Sequence, residues 1–462
     1  MTDHNPVPFD FVPFSKQSPE LRTPDEWEKE GRLLSGKIDY TLETLTPVHI
    51  VGQQTRQGNK NNYRITASKF HRNGAIPQIP GSSIKGMIRA FFEALANSWV
   101  NQATDEYPAE YKKRHIGFAA LSKANADKKL DFGPVIPERF HPKVKDGKLD
   151  LASFLFGLVL EGDGDDKAYQ SRLIFEDVVA DSSMLDHDSV KIPDIPGSAF
   201  MGGPKPRMNN WWYFVPDSIK KRRVTARGMT RTSTDFIGKE YWGRKFYYHQ
   251  YPENAIRWYD NKRNWPHSVK KRGQFVLNYY KYPVETVRKK SRMTGHIFFE
   301  RIPEPFLKLI LCALHPGENI RHKIGYGKAY GLGSVNIIID RVLAGTSDGF
   351  LPEYQEYPLQ TEFIKTLSPY LHENSLTWLA LILSFDEFAT KCQYTYPPFN
   401  PHNFQKVIDW DKYIQAPSDT IKVNKDMAEK VALSLFNVKR TIHFRIYQET
   451  TSAWDNILKR KP

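Results

Sequence analysis

The sequence predicts an α+β fold in which a strand, a helix, two strands, a second helix and a last strand follow one another with large insertions between them. Three observations lead there. Two stretches, Ile84–Leu95 and Phe306–Leu314, repeat apolar residues at helical spacing directly behind proline turns. Short stretches near residues 40, 175, 297 and 337 are rich in β-branched and aromatic residues, the first and last with clear apolar–polar alternation. The positive charge is gathered in one tract, so the remainder has the composition of an ordinary folded chain.

The totals bound what the chain can be. Its 462 residues can hold two or three domains and bury a large core, and 40% hydrophobic with 13% aromatic residues argues against general disorder. A formal net charge of +14 points to a polyanionic partner, nucleic acid or an acidic membrane surface. No apolar run approaches membrane-spanning length and the first 36 residues lack a signal-peptide pattern, so a cytoplasmic protein with no membrane partner is expected. Cys312 and Cys392 are the only cysteines, which excludes a disulfide framework and a multi-cysteine zinc site.

Residues 1–36 carry five prolines and a cluster of Phe9, Phe11 and Phe14, and read as an extended arm, docked on a neighbour. Lys37–Leu45 alternates, with Ile38, Tyr40 and Leu42 on one face, and predicts a half-buried strand ended by Pro47 and Gly52. Gln53–Asn73 is polar and basic without a steady period, and is expected to be a long loop; Arg56, Lys60 and Arg64 are its candidate phosphate contacts. It leads into IPGSSIKGMIRAFFEAL, residues 79–95. Pro80 and Gly81 make a turn there, Ser82 or Ser83 can cap a helix, and Ile84, Ile88, Phe91 and Leu95 form its buried stripe. The free N–H groups of the first turn, two hydroxyls and the bases Lys85 and Arg89 make this helix start a candidate phosphate site. Taken alone, the same residues also describe a common capped amphipathic helix with two solvated bases.

Residues 101–150 show little pattern and read as a surface excursion. FLFG at 154–157 and SRLIFEDVV at 171–179 frame the acidic turn EGDGDD, which lacks the rest of a calcium loop and reads as a solvated turn; the second stretch reads as a strand. Between Gly203 and Arg292, 22 Lys and Arg face 6 Asp and Glu, a surplus of 16 that accounts for the whole net charge. This tract, which includes Arg244 and Lys245, also holds 18 aromatics, among them five of the ten Trp. Interleaved rings and bases are the composition of a groove for single-stranded nucleic acid, and equally of an aromatic-cored subdomain with a basic surface.

Thr294–Glu300 reads as a strand, and Pro305 opens a helix with Phe306, Leu309, Ile310, Ala313 and Leu314 on one side. KIGYGKAYGLGSVNIIID, residues 323–340, runs a Gly-rich loop into an alternating strand. Its glycines precede a strand and do not fit the dinucleotide fingerprint, so what remains is a loop whose backbone can approach a ligand, carrying Lys323, Gly325, Tyr326, Gly327 and Lys328. Residues 346–462 read as a mainly helical C-terminal region, with runs at Leu376–Phe388 and Met427–Phe436. The elements assemble into a β-α-β-β-α-β order, ferredoxin-like or RRM-like, spanning residues 37–345 and interrupted by a basic aromatic-rich insertion at about 181–293.

TLETLTPVHIVG, IPGSSIKGMIRAFFEAL, FLFG with SRLIFEDV, GRKFYYH and GYGKAYGLGSV together resemble the RAMP superfamily of CRISPR-associated proteins, and most of all the backbone subunits of type III effector complexes. The resemblance implies an RRM-like palm whose IPGSS helix start and Gly-rich loop grip the guide RNA, with an inserted thumb-like hairpin wedging into the guide–target duplex. On it, Ser82, Ser83, Lys85 and Arg89 correspond to the guide-gripping block and Gly325–Gly333 to the Gly-rich block. The partners it implies are the CRISPR RNA, a complementary target RNA and other RAMP subunits, with no cofactor. Target-cleaving relatives carry an acidic residue between the first strand and the IPGSS helix; Gln53–Ile79 contains no Asp or Glu, so neither a metal site nor target cleavage is expected here. Guide-processing relatives use a His without metal, and His49 at the end of the first strand is the candidate for that alternative as well as for RNA contact. A protein adaptor that never touches RNA is the remaining alternative; it leaves the basic tract unexplained.

Overall fold

The computed structural model describes residues 8–385 apart from 60–61, 101–114, 117–118, 121–136, 161–167, 195–218, 226–231, 239–242, 261–269, 272–273, 276–279, 318, 347–353 and 360–367. It is a mixed α+β fold with many antiparallel strands and few helices. The central sheet is built from β1 (Leu33–Thr44), β2 (Leu173–Phe175), β3 (Arg292–Pro303) and β4 (Ser334–Thr346). Their order across the sheet is β2-β3-β1-β4, antiparallel throughout, and the short pairs His322–Lys323 and Gln355–Glu356 both add to β4.

One face of this sheet is covered by α1 (Gly81–Leu95) and α2 (Glu304–Leu314). The alternation in β1 turns Ile38, Tyr40 and Leu42 onto that face, where they are fully buried beside Ile297 of β3 and Ile337 of β4. Both helices supply the stripe that their spacing predicts: Ile84, Ile88, Phe91 and Leu95 from α1, and Phe306, Leu309, Ile310, Ala313 and Leu314 from α2. Each fully buried Ile, Leu or Phe contributes about 1.5–3 kcal/mol, so this stripe on sheet contact dominates the stability of the core.

The opposite face of β1 carries Lys37, Asp39, Thr41 and Glu43. Lys37 Nζ at 2.8 Å, His296 Nδ1 at 2.7 Å and Arg341 Nη2 at 2.9 Å converge on the Asp39 carboxylate. Burial alone would raise this carboxyl, but hydrogen bonds from Lys37, Arg341 and His296 bring it down to about 2. A depressed carboxylate contributes stability above its ordinary value and loses it as the pH falls toward the folded value. With screening by solvent on this face, Asp39→Asn is expected to cost about 1 kcal/mol at pH 7 and little at pH 2. Chemical denaturation at the two pH values checks this, and an equal cost at both would contradict it.

Three sequence expectations change in the structure. The stretch 53–73 is no loop: Val51–Asn59 and Asn62–Phe70 pair as an antiparallel hairpin. Its faces are not sorted into apolar and polar, because its outer part stands clear of the core, and so it shows no period. The strand expected over 171–179 is broken at Glu176 and Asp177: Leu173–Phe175 belongs to the central sheet, whereas Val178–Val179 pairs with Ile76–Ile79. The N-terminal stretch docks on its own chain, with Phe9–Pro13 paired in register against Gly243–Tyr247. Behind it, Thr23 opens the short helix Pro24–Glu28 with a capping box and buries Trp27 in the main core. Beyond residue 345 the helix Glu373–Ile382 packs Leu379, Ala380 and Ile382 on that core; Met427–Phe436 lies outside the described residues.

Within the insertion, Lys191–Asp194 pairs with Tyr280–Pro283 at its root, and Ile219–Thr225 pairs with Thr232–Gly238 as a hairpin. Among the described residues no helix is long and apolar enough to cross a membrane.

Candidate nucleic-acid interface

The hairpin Val51–Phe70 is a basic element with an exposed outer part, and its attachment is local. Among the described side chains from Val51 to Ala67 none is buried, whereas Ser68 and Phe70 at its base are. Arg56 is exposed, with Nη2 donating to Gln54 at 3.2 Å. Arg64 pairs with Gln57 in the strand register, and Lys60 lies outside the described residues.

The base is tied by Glu285. Its N–H donates to the Ser68 carbonyl at 2.9 Å, and its carboxylate accepts the Phe70 N–H at 2.7 Å and both terminal nitrogens of Arg72 at 2.6 Å. His187 Nδ1 approaches the same carboxylate at 2.8 Å. Burial would raise the Glu285 carboxyl, but the Arg72 and Phe70 hydrogen bonds outweigh it and hold the group below the usual carboxylate range.

His49 is fully buried between these parts. Its Nδ1 lies 2.7 Å from the Glu285 carbonyl, which can only accept, so Nδ1 carries the proton and Nε2 accepts from the Ser68 hydroxyl at 2.9 Å. Burial lowers the imidazole from its ordinary value and keeps it neutral. Both ring nitrogens are thus occupied, and the expected contact with RNA or role as general acid or base has no exposed atom to act through.

The Gly-rich loop packs on the same place. Tyr326 N–H donates to the His49 carbonyl at 2.8 Å, and the Tyr326 ring meets the His49 imidazole edge-on at 6.0 Å. Gly325 has a φ of +79°, and a Cβ there would run into the His49 carbonyl oxygen, so the position needs glycine for both reasons. Gly327 starts the short turn Lys328–Tyr330. Lys323 is buried, and its Nζ donates to the carbonyls of Lys328 at 3.0 Å and Leu332 at 3.1 Å. Burial pushes this ammonium well below its ordinary value, so Lys323 holds the loop together from inside and is no surface contact. Lys328 is half-buried, and burial lowers its ammonium too. A small core of Val190, Ile192, Tyr282, Val284, Tyr330 and Leu332, with Ile65 and Tyr326 against it, joins hairpin, loop and insertion root.

The start of α1 differs from its sequence expectation. Ser82 is exposed and Ser83 half-buried, and neither caps the helix, whose N-cap position is Pro80. The Gly81 N–H donates instead to Asp177 at 2.7 Å, and the same carboxylate accepts from the Gln78 side chain at 2.6 Å. A carboxylate of the chain therefore stands where an anion was expected. Gly81 lies so close to the Phe175 carbonyl that a Cβ would collide with it. Lys85 Nζ donates to the Ser171 hydroxyl at 2.9 Å, and burial together with Arg89 lowers its ammonium. Arg89 donates to Glu93 at 2.8 Å and to the Gly157 carbonyl at 2.7 Å. Both bases thus tie the helix to Gly157 and Ser171.

Arg244 and Lys245, expected at an RNA surface, are internal. Arg244 is 5% exposed; it pairs with Glu93 at 3.3 Å and donates to the Ser98 carbonyl. Lys245 is 8% exposed with its Nζ 3.9 Å from the centre of the Phe9 ring. Both lie on the strand that receives the N-terminal segment, and pairing with that segment covers them. Sequence reasoning missed Asp177, Glu285 and Arg72; the only available signal was that each is a charge next to a strand-like stretch. Among the described residues no group of three or more His, Cys, Asp or Glu is placed to hold a metal ion.

No match to a curated protein was found. A family model, described as the RAMP superfamily, matches residues 41–336, a span that runs from β1 to β4 and contains the hairpin, the α1 start and the Gly-rich loop. Through that span, which is more than half of its length, the chain belongs to the RAMP superfamily of CRISPR-associated proteins.

Proposed function

We propose that the chain is a CRISPR RNA-binding backbone subunit of a type III effector complex, which grips guide phosphates, helps present the guide to target RNA and leaves the RNA uncut. The observation that carries this reading is the exposed Arg56-bearing hairpin fastened at one base to the Gly-rich loop, inside the span of the family match. We read the β2-β3-β1-β4 sheet with two helices on one face as the ferredoxin-like palm, and the hairpin Ile219–Gly238 as the inserted thumb. In this reading the hairpin carries more of the grip than α1 does, because Asp177 already holds the leading N–H of that helix.

The absence of cutting rests on chemistry. Gln53–Ile79 offers no carboxylate, and two acids that the fold brings to this stretch among the described residues, Glu285 and Asp177, are engaged by Arg72 and Phe70 and by Gln78 and Gly81. The neutral, doubly bonded His49 argues against the metal-independent alternative.

Filter binding of single-stranded RNA over a salt series tests the reading. Affinity is expected to fall steeply with salt, and Arg56→Ala with Lys60→Ala and Arg64→Ala is expected to reduce the slope by about 2, at about 0.7 per phosphate contact. Binding indifferent to salt would favour a protein adaptor. Specific cuts in a repeat RNA in EDTA, lost in His49→Ala, would make the chain a processing nuclease.

A further inference from the structure

We propose that Glu285 is the positioning residue of the RNA grip, fixing the angle of the Val51–Phe70 hairpin and tying it to the Gly-rich loop. The inference rests on the RNA-binding reading. Glu285 sits on the chain returning from the insertion root, between Tyr280–Pro283 and Thr286–Val287. Its side chain is 6% exposed. Through its N–H and carboxylate it holds Ser68, Phe70 and Arg72, which are the hairpin base and the residue two beyond it. Through its carbonyl it holds the His49 ring, whose own carbonyl receives the Tyr326 N–H of the Gly-rich loop. Three separate pieces of the interface therefore take their register from one residue.

Leverage makes that register matter. Along the nine-residue strand Val51–Asn59 no described side chain is buried, and on the paired strand Ile65, opposite Arg56, packs against the cluster of Val190, Ile192 and Tyr282 while only partly buried. At about 3.3 Å per residue Arg56 lies about 17 Å from Val51, so 10° of play at the base moves it by about 3 Å. Productive contacts need placement within about 0.5–1 Å, so bases on such a lever act only when its root is rigid. The bidentate Arg72–Glu285 pair is the kind of contact that supplies rigidity, because its planar geometry fixes direction as well as distance.

The test measures RNA affinity and its salt dependence for the full chain carrying Glu285→Gln, which keeps the side-chain size and removes the charge that Arg72 clasps. The expected result is about a tenfold loss of affinity with a shallower salt slope, and little further loss when Arg56→Ala and Arg64→Ala are added, since their contacts are already misplaced. A smaller binding-competent fraction with an unchanged slope would mean a purely structural role and would overturn the proposal. Should Glu285→Gln fail to fold by circular dichroism, Arg72→Gln, which leaves the backbone contacts of residue 285 in place, is read by the same criteria. A wild-type chain whose binding ignores salt sinks the RNA-binding reading and this inference with it; a steep wild-type slope shared by the variant sinks this inference alone.

Discussion

Between pH 7 and pH 5 the folded chain is expected to lose roughly 2–4 kcal/mol of stability, a large part of what holds an ordinary domain folded. Three histidines cause this. His49, His249 and His322 are each at most 2% exposed. Burial lowers His49, burial and the neighbouring Lys323 push His249 well below its ordinary value, and burial pushes His322 down to about 4. Each ring is satisfied as a neutral group: His249 bonds the Ser334 hydroxyl at 2.8 Å and the Arg321 carbonyl at 3.1 Å, and His322 bonds the Leu314 carbonyl at 3.1 Å. In the unfolded chain the same imidazoles take up protons near pH 6.5, whereas folded His249 and His322 do not over this range and folded His49 does so less readily. The unfolded state then binds more protons, so stability is present above pH 6.5 and is lost as the pH falls below it, by up to about 1.4 kcal/mol per pH unit for each ring. Glu93, whose carboxyl burial raises, works in the opposite direction and offsets no more than one histidine's share. Urea denaturation at pH 7, 6 and 5 measures the slope. Replacing His322 by Gln should flatten it by about 1.4 kcal/mol per unit; a profile flat over this range in the wild type would contradict the buried neutral assignment.

Glu93→Gln is expected to cost about 3–5 kcal/mol, because it leaves cations buried without their counter-charge. Glu93 lies in the last turns of α1, 4% exposed, between Arg89 and Arg244. Arg244 is nearly closed off from solvent: its guanidinium lies 5.7 Å from the centre of the Phe14 ring and 5.6 Å from that of Phe140, and burial holds it down to about 10 despite Glu93 and Asp150. The carboxylate also stands near the C-terminal end of a helix, where the backbone dipole disfavours a negative charge, so the two guanidinium groups are what keep it there. Loss of the pair should loosen Gly243–Tyr247 and free the Phe9–Pro13 strand that pairs with it. The urea midpoint and the rate of proteolysis near the N-terminus measure both effects, and combining Glu93→Gln with Arg244→Met should recover part of the loss. A cost below about 1 kcal/mol for the single change would show that the charge is not buried as described.

What the sequence disclosed follows from what each element buries. The helices were legible because one stripe of each meets the sheet, and Pro80 and Pro305 mark their starts. Strands β1 and β4 were legible because one face of each is apolar. The hairpin was not, since a ribbon with few buried side chains has no reason to alternate. The glycines of the Gly-rich loop read as room for a ligand to approach the backbone; in the structure what Gly325 approaches is the chain's own His49 carbonyl. Arg244 and Lys245 were misplaced for a different reason. A surplus of charge over 90 residues says nothing about which bases meet a partner elsewhere in the chain, and Glu93 is 151 positions away from Arg244. The same distance effect hid Asp177, which lies 96 positions from the helix start that it caps.

The order of the central sheet also dictates how the protein comes into being. β1 lies between β3 and β4, yet it is synthesised about 250 residues before either. At about 5–20 residues per second, Ile38, Tyr40 and Leu42 emerge about 10–50 s ahead of the strands that will cover them. Side chains that end fully buried thus begin long exposed, and the central sheet closes only after β4, up to Thr346, has been made. Sheet assembly of this kind is slow, because the loop that must close is long before any contact rewards it. For this protein, the vulnerable period lies on the ribosome, before there is a sheet to hold anything.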